Sequence, residues 1–226
     1  MRYLIEHETH LTFPEPVREH HCELRLVPRD QEEQRVHRVR IAVEPAAELF
    51  SYIDYYGNVV DHFSVIEGHE RLLTRIELDV ETLLGNPFDY EPVDPRREPA
   101  WVAEALHAQP RFWDFVLHRS AATPELAPLA SEHDLPHHNP ERPLLESVQR
   151  AMAWIRSSFD YDPDVTHVHT TLAEVLALRG GVCQDFAHLL VTLVRWWGYP
   201  ARYVVGYQDP GYRADGDEVV RPATHA

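Results

Sequence analysis

The chain reads as an α+β protein, with an antiparallel β module at its N-terminus and a core of helices and further strands behind it. Three observations lead there. Over residues 1–84 apolar positions alternate with period two, from about residue 140 they recur at three- and four-residue steps, and ten of the eighteen prolines fall between, in residues 85–143. The expected organisation is therefore a β-rich domain over 1–84, a proline-rich connector with short helices over 85–139, and a core over 140–226.

A chain of 226 residues with 44% hydrophobic content, ten tyrosines and eight phenylalanines can bury a substantial core, which argues against disorder. The formal charge of −16 argues against a nucleic-acid partner, because phosphate binding rests on a positive surface. Protonation of the sixteen histidines would nearly cancel that charge, so solubility should fall toward the pI near 5.4. The two cysteines, Cys22 and Cys183, do not form a disulfide framework and fit a reducing compartment. Charged residues at the start of the chain, and the lack of any apolar run of about eighteen residues, point to a cytoplasmic protein without a membrane partner.

In the β module, Tyr3, Ile5, His7, Thr9 and Leu11 alternate with more polar neighbours, as do Cys22, Leu24 and Leu26, and Val39, Ile41 and Val43. Pro14-Glu15-Pro16, Pro28-Arg29-Asp30 and Tyr56-Gly57-Asn58 supply turns. Cys22 is expected to be a small buried hydrophobe. His20-His21-Cys22 is a poor metal set, because adjacent strand residues point to opposite faces. In the connector, Trp101, Ala105, Phe112, Phe115 and Val116 could line helical turns around Pro110, and His133, His137 and His138 are expected at the surface.

A helix follows over about 144–159 with Leu145, Val148, Met152, Ile155 and Phe159 on one face, ended by Tyr161-Asp162-Pro163. His167 and His169 have the spacing of metal ligands on an extended segment, but no further ligands lie nearby in sequence. Thr170 or Thr171 caps a short helix, Leu172 to Leu178, which delivers the chain to a glycine turn at Gly180-Gly181.

From Cys183 the apolar positions Phe186, Ala187, Leu189, Leu190, Leu193, Val194 and Trp197 predict a helix buried along a broad face and stopped by Gly198. Fifteen residues make a rod of roughly 22 Å. A thiol in the first turn of such a helix lies among amides that lack internal partners, at the positive end of the dipole, where the thiolate is favoured. The same amides could donate to an oxyanion, and the glycines could admit a substrate backbone. Cys183 is thus the candidate nucleophile, set against the plainer reading of a buried cysteine at the start of a core helix. Gln184 and Asp185 are expected to bond local amides.

Gly-Val-Cys-Gln-Asp-Phe-Ala-His-Leu at 181–189, followed by Leu-Val-Arg-Trp-Trp-Gly-Tyr-Pro-Ala-Arg-Tyr-Val-Val-Gly-Tyr to 207, resembles the core of the bacterial transglutaminase-like superfamily. Leu-Arg-Leu-Val-Pro-Arg at 24–29, Tyr-Gly-Asn-Val-Val at 56–60 and Asn-Pro-Phe-Asp-Tyr at 86–90 are similar to the β-rich region that precedes that core. The resemblance implies a papain-like core in which the helix carrying Cys183 packs on an antiparallel sheet. It also implies that His225, followed by Ala226, is the acid–base partner on a strand beyond Gly206-Tyr207. The family's third residue, an Asp on a later strand, would lie beyond Ala226; on that reading the core is incomplete and poorly active as it stands.

The function so implied is cysteine-dependent acyl transfer or hydrolysis on protein or peptide amides through a thioester, with no cofactor and no metal. An amine acceptor gives a transglutaminase and water a protease or amidase, and these residues do not separate the two. No calcium-loop pattern is present. The alternative is a catalytically silent member that binds a protein or peptide.

Overall fold

In a computed structural model, the described residues are 1–86, 89–91 and 93–208, with the backbone alone of 224–225. They form two compact units, Met1–Tyr90 and Glu91–Ala226.

The first unit holds six strands: β1 (Arg2–Val17), β2 (His20–Leu24), β3 (Gln34–Glu44), β4 (Leu49–Ile53), β5 (Val59–Val65) and β6 (His69–Thr82). They build two antiparallel three-stranded sheets, ordered β1-β6-β3 and β2-β5-β4. Val43, Phe63, Val65 and Leu72, with Phe13, Cys22, Leu24, Ile41 and Leu49 packed on them, make one core fed by both sheets. Alternation explains this: β6 buries Leu72, Thr74, Ile76 and Leu78 on one side, and β1 covers every second residue from Tyr3 to Thr9. Cys22 is half-buried in β2, where burial pushes its thiol up. His21 turns outward to Ser64 at 2.7 Å, so the His20-His21-Cys22 triplet is split between faces.

The second unit holds α1 (Glu98–Ala108), a 3-10 turn over Pro110–Trp113, α2 (Asp114–Leu117), α3 (Ala127–Ala130), α4 (Leu144–Ser158) and β7 (Asp160–Tyr161). These are followed by α5 (Leu172–Leu178), β8 (Gly180–Gly181), α6 (Cys183–Trp196), β9 (Gly206–Tyr207) and β10 (Thr224–His225). Its core gathers Leu126, Leu135, Ala151, Ile155, Phe159, Leu172, Val175, Leu176, Leu189 and Leu193, so α4, α5 and α6 share one apolar interior. The segment around Pro110 buries Leu106 and Val116 and leaves Trp101 exposed.

Two expectations are corrected. On α4 the buried positions are Ser147, Ala151 and Ile155, whereas Leu145 is 42% and Met152 54% exposed. The helix is rotated because Ser147 has a partner inside: its hydroxyl meets His138 Nδ1 at 2.9 Å, and Tyr199 Oη meets His138 Nε2 at 3.3 Å. His138 is accordingly half-buried rather than a surface histidine.

The ends of the helices follow from their sequences. Thr171 and Glu174 form a reciprocal capping box at the start of α5. At the end of α6, Gly198 takes φ +89°, its N–H donates to Arg195 C=O and the Tyr199 N–H donates to Val194 C=O. This paired closure needs the left-handed glycine. Arg195, buried on the last turn, donates to the carbonyls of Ala201 and His118 at 2.9 and 3.2 Å, fixing the exit of the chain.

Candidate active site

Cys183 occupies the first position of α6 and is half-buried. Val182 precedes it in extended conformation and has no side-chain acceptor with which to cap the helix. The cap is supplied from inside: Asp185, on the first turn and only 5% exposed, accepts the Val182 N–H at 2.9 Å. The same carboxylate oxygen accepts the Thr166 hydroxyl at 2.7 Å. Asp185 thus bonds a local amide, as expected from its position, and also ties the 162–171 loop to the start of α6. A carboxylate here suits the positive end of the helix.

The glycines before Cys183 do something other than turn. Gly180 and Gly181 are buried and extended, pairing in parallel with Asp160 and Tyr161. A Cβ on Gly181 would stand 2.7 Å from Asp185 Oδ2 and 3.1 Å from Asp185 Cβ, and one on Gly180 would stand 3.2 Å from Val165 Cγ2. Glycine is therefore required so that the Asp185 carboxylate can lie against the backbone. The turn lies one residue earlier, at Arg179, which ends α5 with φ +54° and places its guanidinium over Phe159 and Trp154.

Further along α6 lies an aromatic pair. His188 on α6 and Tyr203 on the returning chain stack with ring centroids 4.6 Å apart and planes inclined by 17°. His188 Nδ1 is buried and has no hydrogen-bond partner among the described residues; burial holds this imidazole below the usual histidine value, against the pull of Asp185. Burial also pushes the Tyr203 phenol up, and the Asp185 carboxylate adds to it. Four residues on, Tyr207 is pushed up to about 12 by burial.

His225, the second predicted catalytic residue, is placed by its backbone alone. Thr224 pairs with Tyr207 and His225 with Gly206, antiparallel, so the strand that follows Tyr203 is the one against which the expected histidine's strand pairs. The imidazole, and with it the thiol–imidazole distance, lies outside the described residues. His167 and His169, whose spacing would suit metal ligands only on an extended segment, do not lie on one. Their segment is a turn closed by Thr170 N–H to His167 C=O, and His167 Nδ1 accepts the His169 N–H. No group of three metal-ligating side chains occurs among the described residues.

Sequence reasoning missed Thr166, whose partner lies nineteen positions away, and the His188–Tyr203 stack. Both stack residues stand inside the motif that carries Cys183, yet no local periodicity pairs them.

Comparison with known proteins agrees with this architecture. Residues 3–81 match the bacterial transglutaminase-like N-terminal region and residues 135–226 the transglutaminase-like superfamily core. An uncharacterized protein of Mycobacterium leprae is 32% identical over 228 residues, covering all of this chain and 77% of the relative. Uncharacterized proteins of Mycobacterium bovis and Mycobacterium tuberculosis are 30% identical over 227 residues, covering all of this chain and 72% of each. The fold is similar to the crystal structure of a "Putative Cysteine Protease" from Cytophaga hutchinsonii, with a TM-score of 0.68, 19% identity and coverage of all of this chain and 71% of that one. With its β-rich N-terminal unit and its cysteine at the head of α6, the chain belongs to the transglutaminase-like superfamily.

Proposed function

We propose that the protein is a cysteine enzyme that transfers acyl groups from protein or peptide amides through a thioester on Cys183. The observation that carries this reading is the thiol at the first position of α6, on a helix start held by the buried Asp185 carboxylate. Cys183 Sγ attacks the amide carbonyl carbon, and the carbonyl π electrons move to oxygen. His225 takes the thiol proton and delivers it to the departing amine as the C–N bond breaks. Water or a second amine then attacks the thioester, gives up a proton to His225 and releases Cys183. Hydrolysis and transamidation share every step to the acyl-enzyme, and the acceptor decides between them.

The test compares the parent chain with Cys183→Ala and His225→Ala. Intact-mass measurement follows acetylation by p-nitrophenyl acetate, and casein serves both for hydrolysis and for incorporation of a fluorescent primary amine. Acetylation confined to Cys183, abolished in the first variant and slowed in the second, is expected. Acetylation that survives Cys183→Ala would refute the assignment.

A further inference from the structure

Attack on a carbonyl puts negative charge on its oxygen, and fixed donors facing that charge carry much of the rate. At Cys183 the donors built into the chain are the first-turn amides of α6, which have no acceptor inside the helix. Asp185 stands on the same turn, buried and able only to accept, so its carboxylate is placed to compete with an oxyanion for those amides. Two donors hold it instead, and both lie outside the first turn. They are the Val182 N–H, ahead of the helix, at 2.9 Å and the Thr166 hydroxyl at 2.7 Å. Both bond Oδ2, the oxygen that lies 2.7 Å from where a Cβ on Gly181 would stand. One hydrogen bond would leave the carboxylate free to pivot, and a second, from another segment, fixes it. Thr166 is the half-buried residue of an otherwise exposed stretch, 163–169, so its hydroxyl reaches inward from a loop to do this.

We infer that Thr166 is a positioning residue for acyl transfer: its hydroxyl keeps the Asp185 carboxylate in the seat beside Gly181, so that the first-turn amides of α6 stay open to the oxyanion formed when Cys183 attacks. This rests on the acyl-transfer reading above. Thr166 touches no substrate and moves no proton; its O–H bond stays intact while the oxyanion forms and collapses. Without the hydroxyl the carboxylate keeps one tether, at Val182, and spends part of its time on the first-turn amides, where it occupies them and repels the new charge. Deleting an oxyanion donor outright lowers turnover by about 10²- to 10³-fold, so partial occupation should cost about 10-fold.

Two reactions of the same thiol separate this role from a structural one. Acetylation by p-nitrophenyl acetate passes through an oxyanion. Alkylation by iodoacetamide does not, because sulfur displaces iodide at a saturated carbon. In the full chain, Thr166→Val removes the hydroxyl at nearly constant shape, Thr166→Ala removes it without pressing a methyl on the carboxylate, and Thr166→Ser keeps it. Both rates are taken on the high-pH plateau of the alkylation profile, so that a change in thiolate fraction does not enter. Acetylation of Cys183 should slow by about 10-fold in the valine and alanine variants while alkylation is unchanged, and the serine variant should match the parent. Equal acetylation of parent and both hydroxyl-free variants would overturn the role of Thr166 and leave the acyl-transfer reading standing. A loss in the valine variant alone, or a loss that serine does not recover, would overturn it as well, since shape and not the hydroxyl would then matter. So would a parallel loss of both reactions, because the hydroxyl would be serving the fold. A parent chain that is alkylated at Cys183 but never acetylated would overturn the acyl-transfer reading and this inference with it.

Discussion

Gly181→Ala should destabilise the second unit far more than alanine at a glycine usually does. The added Cβ meets Asp185 Oδ2 at 2.7 Å, with Asp185 Cβ and Cγ at 3.1 and 3.2 Å. That oxygen cannot simply swing aside, because it holds the Val182 N–H at 2.9 Å and the Thr166 hydroxyl at 2.7 Å in a buried setting. If the carboxylate rotates, two hydrogen bonds to a charged acceptor go, at about 1.5 kcal/mol each or more. If the head of α6 backs away instead, overpacking costs about 1–3 kcal/mol. The cheaper route governs, so the cost is about 1–3 kcal/mol, or about 2–12 °C in Tm for a domain of this size. The assay is a thermal melt followed by tryptophan fluorescence. Trp101, Trp113, Trp154, Trp196 and Trp197 all lie in the second unit, so the signal reports on it alone. Gly206→Ala is the control, since among the described residues nothing lies within 4 Å of a Cβ there. In an Asp185→Ala background much of the effect of Gly181→Ala should vanish, because Oδ2 and Cγ are gone and only the Cβ contact at 3.1 Å remains. A Gly181→Ala melt no lower than the Gly206→Ala melt would refute the reasoning.

Cys183 should be alkylated by iodoacetamide at neutral pH well before Cys22, whose thiol is pushed up by burial; peptide mapping that finds Cys22 modified first would reverse the assignment. Thr171→Ala should lower stability by about 1 kcal/mol through loss of the capping box, read from the same tryptophan melt. Burial holds His138 and His188 below the usual histidine value. Between those lowered values and about pH 6.5 the unfolded chain binds protons that the folded chain refuses, so their contribution is full above about pH 6.5 and is lost as pH falls through that window. Melts from about pH 7.5 down to about pH 5.5 should fall accordingly, and His138→Asn/His188→Asn should flatten the slope; an unchanged slope would assign the effect elsewhere.

What could be read from the sequence tracks how local each cause is. The strands of the first unit were legible because period two is a property of neighbours, and the sequence placed Cys22, Leu24 and Ile41 on the buried side. The α6 start, its glycine stop and a threonine cap on α5, left between Thr170 and Thr171, were legible for the same reason. The face of α4 was not, because hydrophobicity nominated Leu145 and Met152 while the interior held Ser147, a residue made buriable by His138 nine positions earlier. The glycines at 180–181 looked like a turn because glycine signals permissive backbone in general. Only the fold shows that what Gly181 permits is a carboxylate, not a bend.

The path from α6 to the strand against which His225 pairs follows from lengths along the chain. From Cys183 to His188 the helix runs about 7 Å, and from His188 to its end about 12 Å more. The exit is clamped by Gly198 and by Arg195 on the Ala201 carbonyl, which turns the chain back along α6. From Gly198, five extended residues span roughly 17 Å, enough to bring Tyr203 back to the height of His188, where the stack holds it. Three further residues span about 10 Å, enough to carry Gly206 to the height of the thiol. His225 pairs with Gly206. The Gly-Tyr-Pro-Ala-Arg turn at 198–202 therefore sets the path of β9 from the far end of the helix. By fixing where the chain reverses, it fixes which residues of the returning segment reach His188 and, beyond it, β10. One inserted residue between Arg202 and Gly206 would present the opposite face of that strand.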